Sequence, residues 1–129
     1  MKYLLRIETV AGGDIAVTEE VAEGTIFGGE LTLSYSFDGA DYKLVVGAEH
    51  MTQTRRGEVN LITSFKQGET TFARIYDGAN GGSFPVCTKI LKVRFDGGGC
   101  EVFAEYCFGD GETVRLKVRA AVADGCDFS

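Results

Sequence analysis

The feature that most constrains this chain is its alternation. Apolar and polar residues exchange places at every second position in run after run, and glycine pairs or an Asp-Gly step close most of the runs. A period of two sends successive side chains to opposite faces of a strand, whereas a helix repeats its apolar residues every three to four positions. The clearest run is Glu58 to Phe65, with Val59, Leu61, Thr63 and Phe65 on one face and Asn60, Ile62 and Ser64 on the other. The run from Thr113 to about Val122 predicts Val114, Leu116, Val118 and Ala120 inward, with Arg115, Lys117 and Arg119 outward. Leu31, Leu33 and Tyr35 share a face, as do Leu44 and Val46, and Val102, Ala104 and Tyr106 are candidates for another inward row.

Turn residues set the strand count. Gly12-Gly13, Gly28-Gly29, Asp38-Gly39, Gln67-Gly68 and Gly97-Gly98 all lie between alternating runs, and glycine adopts the positive φ that tight hairpins demand. Eight or nine strands result, with no strand assigned between Ala48 and Glu58. Pro85 is expected to open a strand, where its missing N–H does no harm. Glu19-Glu20 and Glu23-Gly24 interrupt a long run and predict a bulge or bend there, and the tail from Ala123 to Ser129 reads as loose. Consecutive hairpins favour an up-and-down meander, and closing it removes exposed strand edges. The 129 residues fit a single domain spanning 1–129. The predicted fold is therefore one all-β, antiparallel, up-and-down barrel.

Charge and composition narrow the function. A net charge of −6 argues against general nucleic-acid or anionic-membrane binding. No apolar stretch approaches the roughly 18 residues of a membrane helix. In MKYLLRIETV, Arg6 and Glu8 interrupt the apolar run, so no signal peptide is read and a cytoplasmic location is expected. The four cysteines, Cys87, Cys100, Cys107 and Cys126, form no CxxC pair and are expected as free thiols. Cys100 and Cys107 lie seven apart on one strand, hence on opposite faces.

Catalytic constellations are absent from the pattern. His50 is the sole histidine, which leaves no hydrolase triad and no histidine-based zinc site. A single histidine still suffices for haem, against the plainer reading of a histidine at a strand edge. Adjacent carboxylates such as Glu19-Glu20 point to opposite faces, and the glycine-rich stretch from Gly78 to Gly82 joins two strands rather than a strand and a helix. No cofactor is expected and no enzymatic activity is assigned.

From Arg56 onward the chain resembles the YwiB-like family of small bacterial proteins with a calycin-like barrel. The signals are ordered: Arg56-Gly57-Glu58-Val59, the Gln67-Gly68 turn, Tyr76 before Gly81-Gly82, Thr88, Tyr106 in Glu105-Tyr106-Cys107, and the strand Val114 to Val118. The loop Tyr76-Asp77-Gly78-Ala79-Asn80 departs from the Thr-Pro-Gly-like turn usual in that family. The resemblance implies an eight-stranded, lipocalin-like barrel and carries no activity with it.

Four residues form the candidate ligand site. Arg56 is placed at the barrel mouth, where a guanidinium can hold a carboxylate with two parallel hydrogen bonds. Tyr76, Thr88 and Tyr106 are expected to line the lumen with hydroxyls. Each also has a plainer reading: Arg56 as a plug at the barrel end, the tyrosines as ordinary core. The functional expectation is a barrel that binds a small, partly apolar, anionic molecule. Its alternative is an interaction or structural module with a packed interior, working through its surface or as a homodimer. The basic stripe Arg115, Lys117, Arg119 reads as a solvated face paired with nearby glutamates.

Overall fold

A computed structural model describes residues 1–77 and 80–123; Cys126 and all but the first residue of the tail lie outside them. Ten strands follow one another: β1 (Lys2–Ala11), β2 (Asp14–Phe27), β3 (Glu30–Phe37), β4 (Ala40–Val46), β5 (His50–Arg56), β6 (Asn60–Lys66), β7 (Thr70–Asp77), β8 (Asn80–Asp96), β9 (Gly99–Phe108) and β10 (Val114–Val122). Each pairs antiparallel with its sequence neighbours, and β1 pairs with β10 from Tyr3↔Val122 to Ala11↔Val114. The sheet is therefore a closed up-and-down barrel. Asp38 and Gly39 both take positive φ, 50° and 77°, as a two-residue hairpin turn requires.

The expectation of about eight strands is corrected to ten. The strand absent from the nine-run reading is β5, His-Met-Thr-Gln-Thr-Arg-Arg, in which Met51 is the one apolar residue. Its ladders to β4 and β6 hold it in the sheet, and no hydrophobic alternation announces it.

Two further expectations shift. No register break occurs between β1 and β2 at the Glu19–Gly24 region; instead β2 changes partner there, pairing β1 up to Glu23 and β3 from Glu23 to Phe27. The irregularity in the barrel lies between Thr88 and Ile90 on β8. Pro85 sits inside β8 rather than at its start. Its carbonyl accepts from Gly109 N–H at 3.1 Å, so its missing N–H faces the same side, one residue past the end of the β8–β9 ladder.

The inward rows follow the predicted parity. Leu31, Leu33, Leu44, Val46, Phe65, Val102 and Val118 are all buried. Cys100 is buried inside the barrel wall, and burial raises its thiol pKa to about 11. Cys87 and Cys107 face each other across β8 and β9, and all three are free thiols.

One end of the barrel is sealed. Tyr3 has no exposed surface, and its hydroxyl donates to Gly98 O at 2.7 Å, tying the start of β1 to the β8–β9 turn. Its ring occupies the space beside Gly24, where an added Cβ would lie 2.3 Å from the Tyr3 ring. Leu31, Val46, Met51 and Phe65 complete this floor, each 2% exposed or less. His50 belongs to the same end, with Nε2 2.6 Å from Glu30 Oε2 on β3. Substituting Gly24→Ala forces the methyl group into the Tyr3 ring. Urea unfolding of this variant is expected to show a loss of about 1–3 kcal/mol, whereas Gly82→Ala, with open space around its Cβ, should unfold near the wild-type midpoint.

Candidate functional site

The opposite end of the barrel is less tightly closed. Inward positions there, including Thr9, Thr18, Glu20, Tyr42, Gln53 and Arg55, are only partly buried, in contrast to the floor. The inward face is thus apolar at the base and polar toward the opposite end, the two parts called the floor and the rim of the cup.

One wall of the cup comes from β3, β4 and β5. Tyr35 and Tyr42 are cross-strand partners whose rings stack in parallel, centroids 5.1 Å apart with a 5° interplanar angle. Arg55 pairs with Tyr42 across the next ladder; its Nε donates to Tyr42 Oη at 3.3 Å and an Nη1 to Val59 O at 2.5 Å. Burial raises the Tyr35 phenol pKa; a hydrogen bond with Gln53 acts the other way, and the charges of Tyr42 and Glu20 add to the rise.

The facing wall is aromatic. Tyr106 meets Phe65 edge-to-face at 4.7 Å and Phe108 at 5.4 Å, and Phe108 in turn meets Phe84 at 5.1 Å. Burial also raises the Tyr106 phenol pKa. Thr88 is its direct cross-strand partner. Among the described residues the buried Thr88 hydroxyl has no hydrogen-bond partner.

Of the four residues predicted from sequence, the structure brings Thr88 and Tyr106 together inside the barrel and places the other two outside. Arg56 is exposed beside Asp41 on β4. Met51 points inward on β5, so period two sends Gln53 and Arg55 inward and Arg56 outward. Tyr76 is 40% exposed, one position beyond the inward Ala73 and Ile75 row; its ring lies over Gly81 on the adjacent strand. The guanidinium at the rim is thus Arg55. Recognition of β5 as a strand would have found it, because parity from Met51 decides between the two arginines. Tyr42 was equally legible as the next member of the Leu44 and Val46 row.

The same architecture exists elsewhere. The crystal structure of the ywiB protein from Bacillus subtilis superposes with a TM-score of 0.75, over 93% of this chain and 89% of that one, at 14% sequence identity. The fold is YwiB-like. At that identity the likeness extends to architecture alone. No family model matches the chain, and no curated protein does either.

Burial of the tyrosines links the cup to pH. Tyr35 and Tyr106 have folded-state pKa values above the unfolded value of about 10. Their contribution is fully present below pH 10 and is lost as pH rises through the folded values, because only the unfolded chain ionises them readily. The thermal midpoint should fall across that alkaline window, and Tyr106→Phe should flatten the fall.

Proposed function

We propose that this protein is a non-enzymatic binding barrel, a calycin-like cup holding a small molecule with an apolar body and an anionic head. The observation that carries this reading is Thr88 Oγ1, a buried hydroxyl beside the Tyr106 ring that has no partner among the described residues. Leaving such a group unsatisfied costs about 1–3 kcal/mol, and a polar atom on a ligand in the cup relieves that cost. Arg55 supports the anionic head. Its bonds to Tyr42 and Val59 fix the guanidinium at the rim, and a guanidinium has five donors, which leaves some for a carboxylate or sulfonate. Apolar walls with a few convergent polar groups are the usual make-up of a small-molecule site.

The test is native mass spectrometry of the protein purified from its own host, compared with the denatured chain. A reproducible added mass that leaves on denaturation is expected; a bare mass together with no uptake of the apolar sulfonate anilinonaphthalene sulfonate would overturn the proposal. With that dye as probe, Arg55→Ala should weaken binding about tenfold or more. Arg56→Ala, on the outer face, should leave binding unchanged.

A second reading rests on β2. Its ladder to β3 begins at Glu23, so among the described residues positions 14–22 pair with β1 alone and present a free edge beside the cup's rim. Ile15, Val17 and Val21 are exposed along it. Two copies meeting antiparallel with Thr18 opposite Thr18 set Ile15 against Val21 and place no glutamate opposite another, which suits edge-to-edge pairing. This homodimer predicts twice the monomer mass by analytical ultracentrifugation, reverting to monomer in Val21→Lys. A wild-type monomer at high micromolar concentration would refute it.

A further inference from the structure

The barrel separates its charge. Strands β1, β8, β9 and β10 carry eight of the thirteen Lys and Arg residues but four of the nineteen Asp and Glu residues. Those four strands hold a net +4, and the rest of the chain −10.

Ladder register arranges the outer face of these strands in rows. One row runs Glu8, Lys117, Phe103, Lys92 across β1, β10, β9 and β8. The row beside it runs Arg6, Arg119, Glu101, Arg94. Five cations therefore surround one half-buried aromatic ring, Phe103. A shallow concavity of about 530 Å³ lies over these side chains. Glu101 is shared by Arg94 at 2.7 Å and Arg119 at 4.0 Å, and Arg6 meets Glu8 at 3.2 Å. Among the described residues no carboxylate lies within salt-bridge distance of Lys92 or Lys117, the two cations that flank the ring in its own row.

We propose that this outer face binds single-stranded nucleic acid, with one base stacked on Phe103 and the flanking phosphates held by Lys92, Lys117 and the neighbouring arginines. An aromatic platform within a cationic groove is the arrangement by which single strands are held without reading their sequence. An acidic peptide would use the cations but not the ring, and a duplex keeps its bases stacked out of reach. The overall negative charge does not forbid it. Ten strands spaced about 4.8 Å apart give a backbone diameter of at least about 15 Å, and the Debye length at physiological salt is about 8 Å. The carboxylates of the far wall are therefore largely screened from a strand lying on this one, while Glu19 on β2 stands opposite Arg6 and bounds the patch on that side. The site is separate from the cup and stands or falls independently of it.

Fluorescence anisotropy with a labelled oligo-dT of roughly 12 nucleotides, in low salt, tests the proposal. Saturable binding is expected, with a salt slope that falls by about 1.4 when Lys92 and Lys117 are both changed to Ala. Phe103→Ala should weaken binding by about five- to a hundredfold, the loss of one stacked base. All three side chains are on the outer face, and circular dichroism should show an unchanged β spectrum; the single Lys92→Ala variant serves where the double variant does not fold. Absence of binding overturns the proposal, as does binding indifferent to the lysines. So does binding that Phe103→Ala leaves intact and inorganic polyphosphate displaces, since the face would then be a bare charge surface.

Discussion

Tyr3 determines what kind of barrel this is. A ring of ten strands encloses more space than the eight-stranded case, in which side chains nearly fill the interior. A wide barrel open at both ends would expose an apolar channel to water. Tyr3 prevents that at one end by lying across the floor, against the gap left by Gly24, with its hydroxyl bound to Gly98 O at 2.7 Å. A large aromatic body with a polar tip suits this position, because the ring fills volume while the hydroxyl satisfies a turn carbonyl. With the floor fixed, the remaining polar inward groups gather at the other end. The distinction between base and rim, and with it the candidate site, depends on that one side chain and the glycine that admits it.

Much of this was legible in the sequence, and the reason is parity. In Leu31-Leu33-Tyr35 and in Val114 to Ala120, where three or more apolar residues alternate, the predicted inward face is the one found. Parity becomes invisible where hydrophobicity no longer marks the face. In β5 the inward positions after Met51 are Gln53 and Arg55, since the rim of a cup needs polar groups. Their polarity hid the strand, and the loss of the strand moved the guanidinium by one residue, from Arg55 to Arg56. Tyr76 was misplaced for a related reason. Its aromatic character suggested the interior, while its place after Ala73 and Ile75 sends it out.

Net charge was the weaker guide. A value of −6 describes the chain as a whole, yet the ladders sort side chains by face and by wall. Alternation in β10 places Lys117 and Arg119 outside, and the registers through β9 to β1 and β8 bring Arg6, Arg94 and Lys92 to the same patch. That sorting is two-dimensional, and a linear sequence shows only one of its axes. The inner and outer surfaces of the same four strands thereby acquire opposite characters, hydrocarbon within and cationic without.

The closing ladder between β1 and β10 also bears on how the chain reaches this state. Nine of the ten strand pairings join elements adjacent in sequence and form by local hairpin closure. The tenth joins Tyr3 to Val122 and must bring together segments separated by nearly the whole chain. Non-local pairing of this kind is slow, because the entropy of closing the loop is lost before the contacts repay it. Until it forms, the meander is an open sheet with β1 and β10 as bare edges. The floor is incomplete as well, since Tyr3 reaches Gly98 across the β10 position. Barrel closure and floor sealing are thus one event, completed at the seam where the first strand meets the last.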